Sequence, residues 1–515
     1  WMKLRWLRWL AERGEWQTFL NYYDPKLNFT ELDCLYGQYL LSHGPAAEAN
    51  AAAEKLWLVG KSQPQACDVL FERWAARGQL SESLRWQRAK LAAEARNYGL
   101  ASHLVKNLPS RARQGALLVE VAQNPALLSQ TARFSPADPA MADVVGLGLR
   151  RLARQDPEKA LQLLELYAPR QAFSKEEKVA IAREIGLTFA KRFDSRALPV
   201  MSQYDPELRD NNVSEWRARL LLRLGRWDDA YQLTRQLPAS LADSNRWRYW
   251  QARSLQLAQP QSQQPLTLYQ PVARERDFYG FLSADRIQVP YQLKNQPLAL
   301  DARTIQKVRN TAGIRRALEF HARGQIVDGR REWYHVSRLF SRDEMVAQAR
   351  MAYDLQWYFP AIRTISQAQY WDDLDVRFPM AYKDSLTRAA KSRSLHSSWV
   401  FAITRQESAF MNDARSGVGA SGLMQLMPAT AKETAKRFGI PLSSPQQVLN
   451  PDTNIQLGAA YLSQIHGQFN GNRVLATAAY NAGPGRVRQW LKGASHLPFD
   501  VWVETIPFDE TRQYV

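Results

Sequence analysis

The stretch Trp9-Leu10-Ala11-Glu12-Arg13-Gly14-Glu15-Trp16 sets the pattern for most of the chain. An apolar, arginine-bearing run stops at a glycine, and an apolar residue two positions later opens the next run. Glycine tolerates the left-handed backbone that closes a helix, so the pattern predicts two helices joined by a tight turn. The unit returns as Trp74-Ala75-Ala76-Arg77-Gly78-Gln79-Leu80, as Leu222-Arg223-Leu224-Gly225-Arg226-Trp227 and as His321-Ala322-Arg323-Gly324-Gln325-Ile326. A lone helical hairpin cannot bury both faces, whereas stacked hairpins can. The reading is an α-helical solenoid of irregular spacing, curved or closed into a ring.

Composition agrees with an all-α chain. Ala, Leu, Arg and Gln recur throughout, and alternating runs of β-branched residues are nearly absent. A chain of 515 residues with 45% hydrophobic content is too large for one core. Of its 17 tryptophans, Trp216, Trp227, Trp247 and Trp250 fall at helix-packing positions, which favours core packing over ligand stacking. Pro260-Gln261-Ser262-Gln263-Gln264-Pro265 reads as a loop, and Asn295-Gln296-Pro297 as a break before a further set of helices. Beyond Arg377-Phe378-Pro379 the chain becomes richer in glycine and short polar loops. The expected domains are a solenoid at 1–299, a helical linker at 300–378 and a third domain at 379–515.

The net charge of +18 asks for a polyanionic partner, for which nucleic acid, anionic lipid and the acidic bacterial wall all qualify. No zinc-ligand spacing, helix-turn-helix element or ribonucleoprotein signature is present, so neither nucleic acid nor a metal or other cofactor is expected. No apolar run is long enough to span a bilayer. The opening at Trp1 lacks the regions of a signal peptide, as a processed chain would. Cys34 and Cys67 read either as two buried thiols or as one disulfide.

Chemistry concentrates in the third domain. In Trp399-Val400-Phe401-Ala402-Ile403-Thr404-Arg405-Gln406-Glu407-Ser408, the residues Val400, Ile403 and Glu407 share one helix face, which turns a carboxylate toward the core. Burial raises a carboxyl pKa, and an acid still protonated near neutral pH can act as a proton donor. The bland reading is a helix-end glutamate paired with Arg405 or Arg415. Next comes Ser416-Gly417-Val418-Gly419-Ala420-Ser421-Gly422-Leu423-Met424-Gln425-Leu426-Met427-Pro428, whose glycines let backbone approach a ligand. Gln425 offers donors and acceptors there, Met427 an adaptable apolar surface, and Pro428 opens a helix. Further on, Ala478-Ala479-Tyr480-Asn481-Ala482-Gly483 ends a helix with a phenol suited to a sugar or a carboxylate, though a core tyrosine and a capping asparagine would look alike.

Together, Arg405-Gln406-Glu407-Ser408, Gly419-Ala420-Ser421-Gly422-Leu423-Met424-Gln425 and Ala479-Tyr480-Asn481-Ala482-Gly483 resemble the signature of the lytic transglycosylases with a lysozyme-like catalytic domain. The likeness runs on through Asn450-Pro451 and Asn454-Ile455 to Ile506-Pro507-Phe508-Asp509-Glu510-Thr511-Arg512, and the helical region before it resembles that of the soluble, ring-shaped members. The resemblance implies Glu407 as the single acid/base. It puts Ser416, Gln425, Met427 and Tyr480, with Asn481 of the same motif, along a sugar-binding cleft, and Glu510 against the peptide stem. For Glu510 the plain alternative is an acidic helix start favoured by the macrodipole. The resemblance also implies peptidoglycan glycan strands with peptide stems as the partner. The reaction would be non-hydrolytic cleavage of the β-1,4 bond between N-acetylmuramic acid and N-acetylglucosamine, giving 1,6-anhydromuropeptides. The family further implies a periplasmic location after signal-peptide removal, and with it a Cys34–Cys67 disulfide. The chain ends at Tyr514-Val515, where the family's catalytic domain normally continues in further helix.

Three other readings compete. A goose-type lysozyme-like hydrolase would use the same glutamate with water; a noncatalytic wall-binding scaffold would carry a degenerate fold, against which intact Glu407, Gln425 and Tyr480 argue; a nucleic-acid-binding helical repeat would bind in a salt-sensitive way.

Overall fold

A computed structural model describes residues 2–135 and 138–515. Every regular element among the described residues is a helix, and β pairing is confined to isolated bridges of Ser421 with Arg415 and with Leu426. The four glycine stops fall where the hairpin pattern puts them. They separate Met2–Glu12 from Trp16–Tyr22, Gln65–Ala76 from Glu82–Glu94, Asn211–Arg223 from Trp227–Gln236, and Ala312–Ala322 from Ile326–Ser337. Gly14, Gly78, Gly225 and Gly324 have φ of +72°, +72°, +68° and +73°. At the first, Glu15 N donates to Leu10 O (2.9 Å) and Gly14 N to Ala11 O (3.1 Å), the paired bonds that close a helix through a left-handed residue. A Cβ at Gly14, Gly78 or Gly324 would meet nothing within 4 Å, so conformation and not crowding demands glycine.

The chain packs as two compact units, one of Trp1–Leu224 with Gln236–Leu241 and one of Gly225–Arg235 with Ala242–Val515. The first holds a continuous apolar core running from Cys34 to Leu220, in which Trp216 is buried. Cys34 and Cys67 form a disulfide there, with Cα atoms 4.9 Å apart, joining helices Thr30–His43 and Gln65–Ala76.

In the second unit, Trp247 and Trp250 are buried on helix Asn245–Ala258, while Trp227 is half-buried beside Gly225 and so packs less fully than its spacing suggests. The Pro/Gln/Ser-rich stretch is shorter as a loop than it reads, because Pro265 sits in the first turn of helix Gln264–Val272. Around Asn295 the backbone leaves helix altogether and is pinned by Gln296 N to Asp372 O (2.8 Å) and Tyr370 Oη to Gln296 O (2.5 Å). Helices between Ala302 and Arg377 enclose a core centred on Trp333. A further core gathers Val400, Ile403, Leu423, Met424 and Ile455, and it carries the candidate site. Among the described residues no helix is long and apolar enough to cross a membrane.

Candidate active site

Helix Ser397–Ser408 buries Val400 and Ile403 as its spacing requires, and Glu407 lies further along that face, partly shielded from water. The carboxyl is pushed up to about 7, first by burial, then held back by a hydrogen bond from Tyr514 and raised again by the charge of Glu510. Tyr514 Oη donates to Glu407 Oε1 at 2.6 Å. This phenol, not Arg405 or Arg415, is the hydrogen-bonding partner of the acid. Arg405 turns away, donating from Nε to Arg377 O (2.8 Å) and lying over the Phe378 ring.

The acid helix ends at Ala409, in a left-handed conformation with φ +47°, and Ser408 Oγ donates to Leu423 O (2.7 Å). That bond ties the helix to the glycine-rich loop. Within the loop, Ala420 N donates to Ser416 Oγ (2.9 Å) and Ser416 N to Ala420 O (2.9 Å). Gly422 has φ +81°, and a Cβ there would collide with Asn454 Nδ2 and come within 2.8 Å of Val448 O. Asn454 is fully buried, holds the loop at two points and ties it to the turn Pro445–Leu449. Its Oδ1 accepts from Met424 N (2.7 Å), and its Nδ2 donates to Ser421 O (3.1 Å) and Val448 O (2.8 Å).

Gln425 is held in place within the loop. Its Nε2 donates to Ala414 O (3.2 Å) and Gly422 O (2.8 Å), so the amide props the loop from inside. Met427, 41% exposed, leaves its thioether at the surface where helix Pro428–Phe438 begins. Ser416 and Met427 belong to the same loop, one near its start and the other at its end.

Tyr480 sits on helix Arg473–Ala482 and donates from Oη to Met424 O (2.9 Å), a backbone acceptor, instead of to the carboxylate. Burial, and next the Glu407 charge, keep its phenol protonated far above neutral pH. Asn481 links that helix to Asp509–Tyr514: its Nδ2 donates to Glu510 Oε1 (3.4 Å), and its Oδ1 accepts from Thr511 Oγ1 (2.6 Å). Glu510 is exposed.

Glu407, Tyr480, Asn481, Glu510 and the loop 415–427 therefore converge; Asn454, which the sequence marks only as part of the family likeness, joins them, and so does Tyr514, which carried no motif in the sequence. The other acids near these motifs are committed elsewhere. Asp413 takes a two-pronged pair from Arg330 (2.8 and 2.5 Å), which holds its carboxyl low, and Asp452 accepts from Ser385 Oγ (2.5 Å). Among the described residues no three His, Cys, Asp or Glu side chains are grouped to hold a metal ion.

Comparison with known proteins points the same way. The family model described as "Transglycosylase SLT domain" matches residues 384–503, and "Soluble lytic murein transglycosylase L domain" matches 307–374. A cucumovirus coat protein model that matches 44–119 falls inside the span that full-length relatives already account for. The soluble lytic murein transglycosylase of Escherichia coli K12 is 34% identical over 521 residues, covering 100% of this chain and 80% of its own length. The crystal structure of the 70 kDa soluble lytic transglycosylase of Escherichia coli superposes with a TM-score of 0.85 at 32% identity, covering 100% of this chain and 83% of that one. An inactive glutamate-to-glutamine variant of the lytic transglycosylase Slt from Pseudomonas aeruginosa superposes at 0.98 with 72% identity, over 100% of this chain and 84% of that one.

Proposed function

The chain belongs to the soluble lytic murein transglycosylases, and from that premise we propose that Glu407 alone carries the acid and base steps of glycan cleavage in the periplasm. It is a peptidoglycan lytic transglycosylase. The bond broken is the β-1,4 link from C1 of N-acetylmuramic acid to the N-acetylglucosamine oxygen, and the product end is 1,6-anhydromuramic acid. Residues 379–515 act as the catalytic domain, 300–378 as a linker and 1–299 as the helical support.

The observation that carries this reading is the state of Glu407: a carboxyl pushed up to about 7 is poised to give a proton and take one back at neutral pH. Protonated Glu407 donates to the glycosidic oxygen as the bond to C1 breaks. The resulting carboxylate, steadied by the Tyr514 hydrogen bond, then takes the proton from the same sugar's C6 hydroxyl as that oxygen attacks C1. Because the nucleophile is tethered to the reacting ring, no water has to be positioned, and one carboxylate serves where ordinary glycosidases need two. Ser416, Gln425, Met427, Tyr480 and Asn481 line the sugar path, Gln425 and Tyr480 also bracing the loop beside the acid, and Glu510 meets the peptide stem.

A hydrolytic reading draws on one observation, the Glu510 charge felt by Glu407, since a second carboxylate could activate water. Digestion of wall sacculi in 18O-water separates the two. Anhydro ends without label are expected; labelled reducing ends as the main product would overturn the proposal. Glu407→Gln keeps the shape but cannot transfer a proton, so it should bind glycan and release nothing.

A further inference from the structure

The reaction makes no direct use of Asp500 and Glu504, yet both carboxylates are only 1% exposed on the short helix Phe499–Glu504. Burying a carboxylate is strongly unfavourable unless charged or hydrogen-bonding donors fill its lone pairs. Here the donors come from far upstream in the sequence. Asp500 Oδ2 accepts from Tyr249 Oη (2.6 Å), Arg253 Nε (2.9 Å) and Arg286 Nη2 (3.1 Å). Glu504 Oε2 accepts from Trp250 Nε1 (2.9 Å) and Tyr279 Oη (2.5 Å), with Arg246 Nε at 3.8 Å. These donors sit on helices Asn245–Ala258 and Phe278–Ile287, so the two carboxylates fasten the catalytic domain to the last part of the helical support.

The residues just beyond Glu504 give that fastening a chemical consequence. Thr505 and Ile506 are buried, and Arg512 Nη1 donates back to Ile506 O (2.7 Å), which couples the turn to helix Asp509–Tyr514. The same helix carries Tyr514 onto Glu407 (2.6 Å) and Glu510 beside it. A short connection, buried from Thr505 to Pro507, leaves little slack between the fastened helix and the one that touches the acid.

We propose that Asp500 and Glu504 are positioning residues for the acid: by fixing Phe499–Glu504 against Asn245–Ala258 and Phe278–Ile287, they hold Asp509–Tyr514 where the Tyr514 hydroxyl meets Glu407. The proposal rests on Glu407 being the acid. Simple cement between domains would account for the burial but would not make the Tyr514 contact depend on Asp500.

The test is a coupling measurement on the full chain. Glu407 is faced by Tyr480, Tyr514 and Glu510, so the basic limb of its pH–rate profile reads their combined influence. Asp500→Asn and Glu504→Gln should lower kcat by roughly 10-fold to 100-fold with KM little changed, as misplacement of a catalytic contact does. The deciding readout is Tyr514→Phe in two backgrounds. It should shift the limb in the otherwise unaltered protein and shift it far less beside Asp500→Asn, because there the hydroxyl has already left the carboxylate. An equal shift in both backgrounds overturns the proposal, and so does no shift in either. If Asp500→Asn does not fold, Tyr249→Phe and Tyr279→Phe remove one donor each without stranding a charge, and the same comparison applies. Glu407→Gln assayed alongside keeps the claims apart: activity near that of the unaltered protein defeats the acid assignment, whereas an inactive Gln variant with equal Tyr514→Phe shifts defeats only the positioning role.

Discussion

Replacing Tyr514 by Phe removes one oxygen and leaves the ring in place, so it isolates the hydrogen bond that meets Glu407 Oε1 at 2.6 Å. A hydrogen bond to a charged group contributes about 1.5 to 3 kcal/mol, and about 1.4 kcal/mol corresponds to one pKa unit. Glu407 keeps some contact with water, which selects the lower end. Its pKa should therefore rise by roughly one unit from about 7. The sign depends on which form the bond favours: the phenol donates to the carboxylate, so its loss destabilises the anion and the proton is held to higher pH. Cleavage needs the protonated acid, so the basic limb of kcat/KM should move up by that amount. At the same time kcat should fall, because the carboxylate formed as the bond breaks has lost its donor. Release of soluble muropeptides from sacculi, followed across pH by mass spectrometry, gives both numbers. A limb that stays put or moves down, in a variant with an unchanged melting profile, would show that burial sets the acid without help from Tyr514.

Glu510→Gln should move the same limb the other way, since it removes the like charge that pushes Glu407 up, and it should leave glycan cleavage largely intact while weakening binding of peptide-bearing strands relative to denuded ones. Complete loss of turnover would instead make Glu510 part of the chemistry. Glu407→Gln should be more stable than its parent at pH 8 but not at pH 4. The folded-state pKa of about 7 lies above the ordinary 4.5, so stability from this group falls as pH rises between those values. The gain is at most about 3 kcal/mol, read as a pH-dependent difference in Tm. Cys34→Ala with Cys67→Ala removes the bond across a sequence separation of 33 and should cost the first unit about 3 to 4 kcal/mol in calorimetry with little change in turnover. Two titratable thiols in the unreduced parent protein would contradict this.

Hairpins and motifs were legible in the sequence because each is local. A glycine that must take a left-handed φ declares a helix end within a few residues, as at Gly14 and Gly324. Helical periodicity put Glu407 on the face of Val400 and Ile403 without reference to the rest of the chain. What stayed hidden was the partner of each polar group. Gln425 reads as a cleft residue because an amide offers both donors and acceptors, and nothing local says that its Nε2 also closes onto Ala414 and Gly422. Tyr514 lies 107 residues from Glu407 in a run without a pattern of its own, and Asp500 finds Tyr249 across 251 residues.

The boundary of compact units at Gly225 was hidden for the same reason. The turn at Gly225 reads like the other three glycine stops, yet it lies where one compact unit gives way to the next. Burial has to be compensated wherever a carboxylate loses water, but the compensating donor can come from any element the fold brings near. Short-range sequence therefore reveals that Glu407 is a half-buried acid, while the residues that tune it are settled by packing between distant helices. A carboxylate such as Asp500, which reads as an ordinary acidic residue at a helix start, gains its meaning only when Arg253 and Arg286 are seen to reach it.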